Sequence, residues 1–142
     1  MFAMQQWQTS FSIPTRGKGL YEFTGELAAW VAGTGAGTGL VSLLCRHTSA
    51  SLLINENAAR AVPRDLARWL EQNAPENAPY EHDDEGPDDM PAHIRTMITG
   101  VSLQVPVAQG RMLLGTWQGV FLAEHRRASH TRDVIAHLIG EH

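Results

Sequence analysis

The sequence contains a single cysteine, Cys45, among 142 residues. An intrachain disulfide is therefore excluded, and neither a paired CxxC nor an HExxH metal motif is present. The chain also lacks an apolar run long enough to cross a bilayer and the basic–apolar–small pattern of a signal peptide. We expect a cytoplasmic protein that does not bind membranes.

Positive charge is scarce. Eleven Lys and Arg residues face fifteen Asp and Glu residues, for a net charge of -4, which is not the basic footprint of a nucleic-acid-binding protein. No Lys or Arg occurs in residues 69–94, and seven carboxylates fall between Asn73 and Pro91. Most of these carboxylates are expected to lie in a loop that is exposed to solvent. They are Glu76, Glu81, Asp83, Asp84, Glu85, Asp88 and Asp89.

A hydrophobic fraction of 43% in a chain of this length is typical of one folded domain, residues 1–142. Periodicity predicts an α+β fold that is mostly β, with a mixed or antiparallel sheet and a few packed helices. Strands are predicted at residues 7–13, 40–44, 51–54, 101–107, 111–116 and 117–124, and helices at residues 20–31, from Pro63, and at 92–99. The apolar spacing of residues 131–139 fits either a helix or a strand.

Polar residues with chemical capacity are concentrated in residues 45–58, CRHTSASLLINENA, around apolar strand sequence. His47, Thr48 and Ser49 supply a base and two hydroxyls, and Glu56 and Asn57 supply a carboxylate and an amide. This combination suits an oxygen-rich ligand or a metal. The hydroxyls and amide can donate to a phosphate, although Thr48 and Ser49 can equally cap a turn. Glu56 is either a general base or a surface residue before a helix.

Three blocks together resemble the YjbQ-like family, often labelled the secondary thiamine-phosphate synthase family. They are HTS with the following ENA at residues 47–58, EHDDEGPDDMPAH at 81–93 and LGTWQGVFLAEHR at 114–126. The likeness covers residues 9–140. It implies a YjbQ-like fold, a homotrimer and a strand, rather than a helix, at residues 131–139.

The resemblance singles out three histidines, because His47, His82 and His93 each lie within a block. It implies that they converge on a divalent metal, Zn²⁺ or Mg²⁺, with one coordination position open as in catalytic sites. Asp89, beside Asp88 in the second block, can add a metal ligand or only loop charge. The remaining C-terminal histidines, His130, His137 and His142, are expected in solvent.

The third block contributes Gln118 as a substrate-binding residue and Glu124 as a catalytic one, with His125 held in reserve. Gln118 and Glu124 share a strand face but are separated by about 20 Å. They can contact one small ligand only if the strand bulges at Gly119 or if two subunits contribute to one site.

The resemblance implies an enzyme that joins a pyrimidine diphosphate to a thiazole phosphate and releases pyrophosphate. We therefore expect a metal-assisted enzyme that acts on a small phosphorylated or oxyanionic molecule, with His47, Glu56 and Glu124 as catalytic candidates. Two alternatives stay open. One is a zinc-dependent hydrolase with Glu56 or Glu124 as base, and the other is a non-catalytic, oligomeric metal- or metabolite-binding protein.

Overall fold

The computed structural model describes residues 3–142 and contains two antiparallel sheets and three helices. In chain order the elements are β1 (Gln5–Arg16), β2 (Gly19–Glu22), α1 (Thr24–Thr34), β3 (Thr38–Cys45), β4 (Ala50–Glu56), α2 (Ala61–Asn73), α3 (Asp89–Thr99), β5 (Ser102–Ala108), β6 (Arg111–Met112), β7 (Gln118–Glu124) and β8 (Ser129–Glu141). One sheet has the order β1-β8-β3-β5-β6 and the other β2-β7-β4. The predicted mostly-β α+β class is confirmed.

The first and last strands pair along their whole length, from Gln5–Gly140 to Arg16–Ser129. The strand assignment of the C-terminal segment is thereby confirmed. The segment resembled a helix because apolar residues occupy both faces of β8. Val134 and Leu138 are fully buried, whereas Ile139 on the other face is 42% exposed.

The predicted helix at residues 20–31 begins too early. Residues 19–22 form β2, where Leu20 pairs with Ala123 of β7, and the helix starts only at Thr24. Backbone pairing with β7 therefore outweighs the helical spacing of Leu20 and Phe23. The predicted strand at residues 111–116 is also too long, since pairing with β5 ends at Met112.

One hydrophobic core joins both sheets to α1. Leu27 and Val31 of α1, Val41 of β3, Leu52 of β4 and Leu122 of β7 are all almost fully buried. The two remaining helices lie outside this core: α3 packs on β4, and α2 lies beside β2 without one fully buried residue. Within residues 3–142 no helix is long and apolar enough to span a bilayer.

Candidate metal site

The structure brings His82, Asp89 and His93 together. Each offers one ligand atom, and these atoms all lie within 4.8 Å of one another. Asp89 and His93 are the first and fifth residues of α3, so they project from one face of the helix. His82 reaches them from the loop that precedes α3. We call these three residues the acid–histidine cluster.

Asp89 is the centre of the cluster and is only 3% exposed. Its Oδ2 lies 2.8 Å from His82 Nε2 and 3.2 Å from His93 Nε2. Burial opposes ionisation of Asp89, but the hydrogen bond from His82 and the charges of His93 and Arg126 hold its pKa below the ordinary value. The side chain is therefore a carboxylate at neutral pH.

The second oxygen of Asp89 is held by Arg126, whose Nη1 donates to Oδ1 at 2.7 Å. The same guanidinium donates through Nε to Asp88 Oδ2 at 3.0 Å and through Nη2 to the Glu85 carbonyl at 2.9 Å. Arg126 thus ties the acidic loop to the end of β7. Its bonds orient Asp89 so that only Oδ2 faces the imidazoles.

His93 is oriented by the backbone of the segment after β3. Its Nδ1 lies 2.9 Å from the carbonyl oxygen of Thr48. A carbonyl only accepts hydrogen bonds, so Nδ1 carries the proton. In the neutral ring Nε2 then presents a lone pair to the Asp89 carboxylate. Two lone pairs repel one another unless a cation, either a proton or a metal ion, lies between them.

His82 is about half exposed and lies among acids. Its Nδ1 is 3.6 Å from Asp84 Oδ1, and its Nε2 is 3.5 Å from Glu85 Oε2. The hydrogen bond to Asp89 and the nearby charges of Asp84 and Glu85 raise its pKa. A cavity of about 610 Å³, lined by Tyr80, Glu81, His82, Asp83, Asp84 and Met90, opens beside it to solvent.

Two imidazole nitrogens and one carboxylate oxygen match the ligand set of a catalytic transition-metal site. Each donor is oriented through an atom that does not face the metal position, as is usual for metal ligands. Arg126 holds Asp89 through Oδ1, and the Thr48 carbonyl holds His93 through Nδ1. The residues therefore fit a divalent ion, and the exposed side of His82 leaves room for a further ligand from solvent or substrate.

His47 is not a member of the acid–histidine cluster. Its Nε2 accepts a hydrogen bond of 2.8 Å from the backbone N–H of Asp133, and its Nδ1 lies 3.5 Å from Arg132. Partial burial and the charge of Arg132 lower the pKa of His47, so the ring is neutral. Its role as ligand and catalytic residue stays a prediction. Its neighbour Thr48 reaches the cluster through its backbone, while the Thr48 side chain is exposed.

Glu124 and Arg132 form a buried ion pair near His47. Glu124 Oε1 accepts hydrogen bonds from Arg132 Nε and from Thr15 Oγ1, both at 2.7 Å. Burial opposes its ionisation, but these bonds lower the pKa of Glu124 below the ordinary value. Arg132 also donates to Ser49 Oγ at 3.0 Å. A carboxylate so fully paired is a weak base.

Glu56, Asn57 and Gln118 lie at the opposite end of the three-stranded sheet. The β4–β7 ladder runs from Glu56–Gln118 to Ala50–Glu124 without interruption, so no bulge occurs at Gly119. A Cβ added at Gly119 would lie 2.6 Å from Glu22 Oε2 and 3.0 Å from Asn57 Cβ, so the Glu22 side chain would have to move. Asn57 Nδ2 donates to the same oxygen at 3.0 Å. Within one chain, this group is separated from Glu124 by about 20 Å of strand.

Sequence reasoning did not identify the two arginines that organise these sites. Arg126 closes the third block and Arg132 follows six residues later. A signal was available for Arg126: a carboxylate-rich segment without its own cations needs a partner elsewhere if it is to fold against the domain. Arg132 gave no comparable signal, because strand parity alone does not reveal an ion-pair partner.

The chain is similar in sequence to a protein family and to individual bacterial proteins. The model of the UPF0047 protein YjbQ-like family matches residues 9–141. A UPF0047 protein of Synechocystis sp. is 49% identical over 138 residues, covering 96% of this chain and 94% of that protein. The UPF0047 protein YjbQ of Salmonella typhimurium is 46% identical, covering 95% of this chain and 99% of its own length.

Solved structures agree with the fold. A conserved hypothetical protein from Thermus thermophilus superposes with a TM-score of 0.80 at 34% identity, covering 90% of this chain and 97% of that chain. A YbjQ-like protein of unknown function from Sulfolobus solfataricus gives a TM-score of 0.85 with 99% of each chain covered. At 21% identity the latter likeness shows the fold alone.

Proposed function

Because this chain belongs to the UPF0047 YjbQ-like family, we propose from its site that it is a metal-assisted enzyme acting on a small phosphorylated metabolite. The metal ion is held by His82, Asp89 and His93. When bound, it would supply a Lewis acid that stabilises negative charge on a phosphate or pyrophosphate oxygen.

The observation that carries this proposal is the position of Asp89 Oδ2 between the Nε2 atoms of two histidines. A nearly buried carboxylate is costly unless it is paired. Arg126 pairs one oxygen, and a divalent ion would pair the other while also accepting the lone pair of His93 that the Thr48 contact leaves on Nε2. The donor set favours Zn²⁺ over Mg²⁺, because Mg²⁺ prefers oxygen ligands and water.

The electrostatics around the cluster restrict how a phosphate could bind. Glu81, Asp83, Asp84 and Glu85 surround His82, so an anion would be repelled from the bare protein. A phosphorylated substrate would therefore depend on the metal ion for binding. The exposed hydroxyl of Thr48, next to the carbonyl that contacts His93, can donate to such a substrate.

The resemblance to secondary thiamine-phosphate synthases suggests one reaction to test. Metal-loaded protein would be given the pyrimidine diphosphate and the thiazole phosphate, and both pyrophosphate release and the joined product would be measured. Turnover that requires both substrates and is lost in Asp89→Ala supports the transferase. Phosphate release from the diphosphate alone would indicate a hydrolase. Stoichiometric metal without turnover of any phosphorylated compound would indicate a binding protein.

We also propose the homotrimer that the resemblance implies. The outer face of the five-stranded sheet exposes Leu40, Leu44 and Ile139, by 39%, 47% and 42% respectively. Leu40 and Ile139 are directly paired across β3 and β8, so these side chains form one apolar stripe. Light scattering tests this assembly.

A further inference from the structure

A second cavity, of about 220 Å³, lies between α2 and the edge of the three-stranded sheet. Its apolar wall includes Leu20 of β2, Leu66 and Leu70 of α2, and Ala123 of β7. We call it the α2 cavity. It does not include any residue of the acid–histidine cluster.

The helix above this cavity is incompletely packed. Leu66 and Leu70 face the domain, yet none of the thirteen residues of α2 is fully buried. An amphipathic helix normally gains its stability by burying its apolar side against the core. The cavity is the space that these two leucines leave unfilled, and an apolar molecule placed there would complete their burial.

One end of the cavity carries a buried guanidinium. Arg95, on α3, is 3% exposed, and its Nη2 donates to the Ala74 carbonyl at 3.1 Å and approaches Glu71 Oε1 at 3.3 Å. Its Nε is buried and has no hydrogen-bond partner among the described residues. Glu71 is about half exposed, so water screens its attraction for Arg95. The charge on Arg95 is therefore incompletely compensated.

The other charged groups that line the cavity already have partners, so among the described residues the unpaired Nε of Arg95 is the donor left for a ligand. Lys18 also lines the cavity, although Glu71 and Glu76 pair with it. Glu124 lines it too, but Arg132 and Thr15 already occupy its carboxylate. Burial and the charge of Arg95 lower the pKa of His125 to about 4, so this ring is neutral.

We propose that the α2 cavity binds a small aliphatic carboxylate, with its charged group at Arg95 and Lys18 and its hydrocarbon chain between Leu20, Leu66 and Leu70. A carboxylate matches the planar donor fork of arginine. A dianionic phosphate fits less well, because the carboxylates of Glu71 and Glu124 also line the cavity. The cavity volume is below the roughly 300–1,000 Å³ that is typical of sites for drug-sized ligands. It therefore suits a ligand with a short hydrocarbon chain.

Calorimetric titration with hexanoate, hexanol and hexylammonium tests the charge preference. These probes share one hydrocarbon chain and differ only in the head group. We expect saturable hexanoate binding, with hexanol weaker by about tenfold or more and hexylammonium weaker still. Equal binding of hexanoate and hexanol, a preference for hexylammonium, or no binding of hexanoate would overturn the proposal.

Two variants locate the site. Arg95→Met should reduce hexanoate binding to the level of hexanol. Ala67→Trp, at an exposed position of α2 that lines the cavity, should fill the space and abolish binding of both probes without touching the charged end. Ala67→Trp also serves if Arg95→Met does not fold, and unchanged hexanoate binding by Ala67→Trp would refute the site. Asp89→Ala should bind hexanoate like the wild type, because the cavity is independent of the metal proposal.

Discussion

Arg126 fixes Asp89 by donating from Nη1 to Oδ1 at 2.7 Å, which leaves Oδ2 to face both imidazoles. A carboxylate alone rotates about its terminal bond, and its two oxygens are equivalent. The guanidinium removes this equivalence. The geometry of the acid–histidine cluster therefore depends on a residue that lies 37 positions away in the chain.

Replacing Arg126 with Met should weaken metal binding without removing a ligand. We expect the affinity for Zn²⁺ to fall by about 10- to 100-fold, as for other residues that orient metal ligands. A competitive chelator titration measures this change. Arg127→Met is the matched control, because Arg127 contacts Asp88 through its backbone N–H and its side chain is largely exposed. Equal affinities for Arg126→Met and the wild type would contradict the orienting role.

Replacing Glu124 with Gln should mainly affect stability. The change leaves Arg132 as an uncompensated buried charge, so the free energy of unfolding should fall by about 3–5 kcal/mol in urea denaturation. The double variant Glu124→Gln, Arg132→Met removes that charge and should recover part of the loss. If Glu124→Gln is as stable as the wild type but inactive, Glu124 is catalytic, as predicted from the sequence, rather than structural.

The lowered pKa of His125 predicts that the stability of the fold depends on pH. Its pKa is lowered to about 4 in the folded chain, against 6.5 as the ordinary value. The unfolded chain therefore takes up the proton first, and stability is lost as the pH falls from 6.5 towards 4. At pH 5 this loss is about 2 kcal/mol relative to pH 7.

The variant His125→Gln isolates this contribution, since Gln does not titrate and can still bond to Ser51, which His125 contacts at 2.8 Å. Urea denaturation at pH 7 and pH 5 should show a smaller acid-dependent loss in the variant than in the wild type. Asp88, Asp89 and Glu124, whose pKa values are also lowered, contribute equally to both proteins. Identical losses in both would contradict a neutral, buried His125.

The variant His47→Ala distinguishes two roles for His47, a metal ligand and a structural residue. The Asp133 N–H donates to His47 Nε2, and the mutation leaves that donor unpaired. We expect a loss of about 1–3 kcal/mol in stability with the metal content unchanged. Melting temperature and metal content should be measured on the same sample. A variant of normal stability without metal would instead establish the ligand role predicted from the sequence.

Local patterns sufficed for most of the fold. Alternation placed β1 correctly, and the glycine-bounded helix before β5 was found because its signals lie within a few residues. Leu20 and Phe23 were assigned wrongly to a helix because only the distant β7 decides their conformation. The same reason applies to β8, whose strand character follows from its partners β1 and β3.

The candidate site was predictable in part, because the resemblance implied that His82 and His93 would converge on one metal ion. His82 and His93 were selected from their blocks, and the structure brings them together around Asp89. Sequence could not show that Arg126 would hold Asp89, or that Glu56 and Glu124 would end up at opposite ends of one sheet. Such relations depend on strand register, which is set by tertiary packing.

The metal content of the purified protein tests the central claim most directly. After incubation with a small excess of Zn²⁺ and dialysis, elemental analysis should find about one metal ion per chain in the wild type and near none in Asp89→Ala and His82→Ala. His137→Ala is the matched control and should retain the ion, because the His137 ring donates or accepts hydrogen bonds with the exposed Gln6 and Gln8 and is not part of the acid–histidine cluster. A wild-type protein without bound metal, or an Asp89→Ala variant that keeps a full equivalent, would contradict the assignment of the acid–histidine cluster as a metal site.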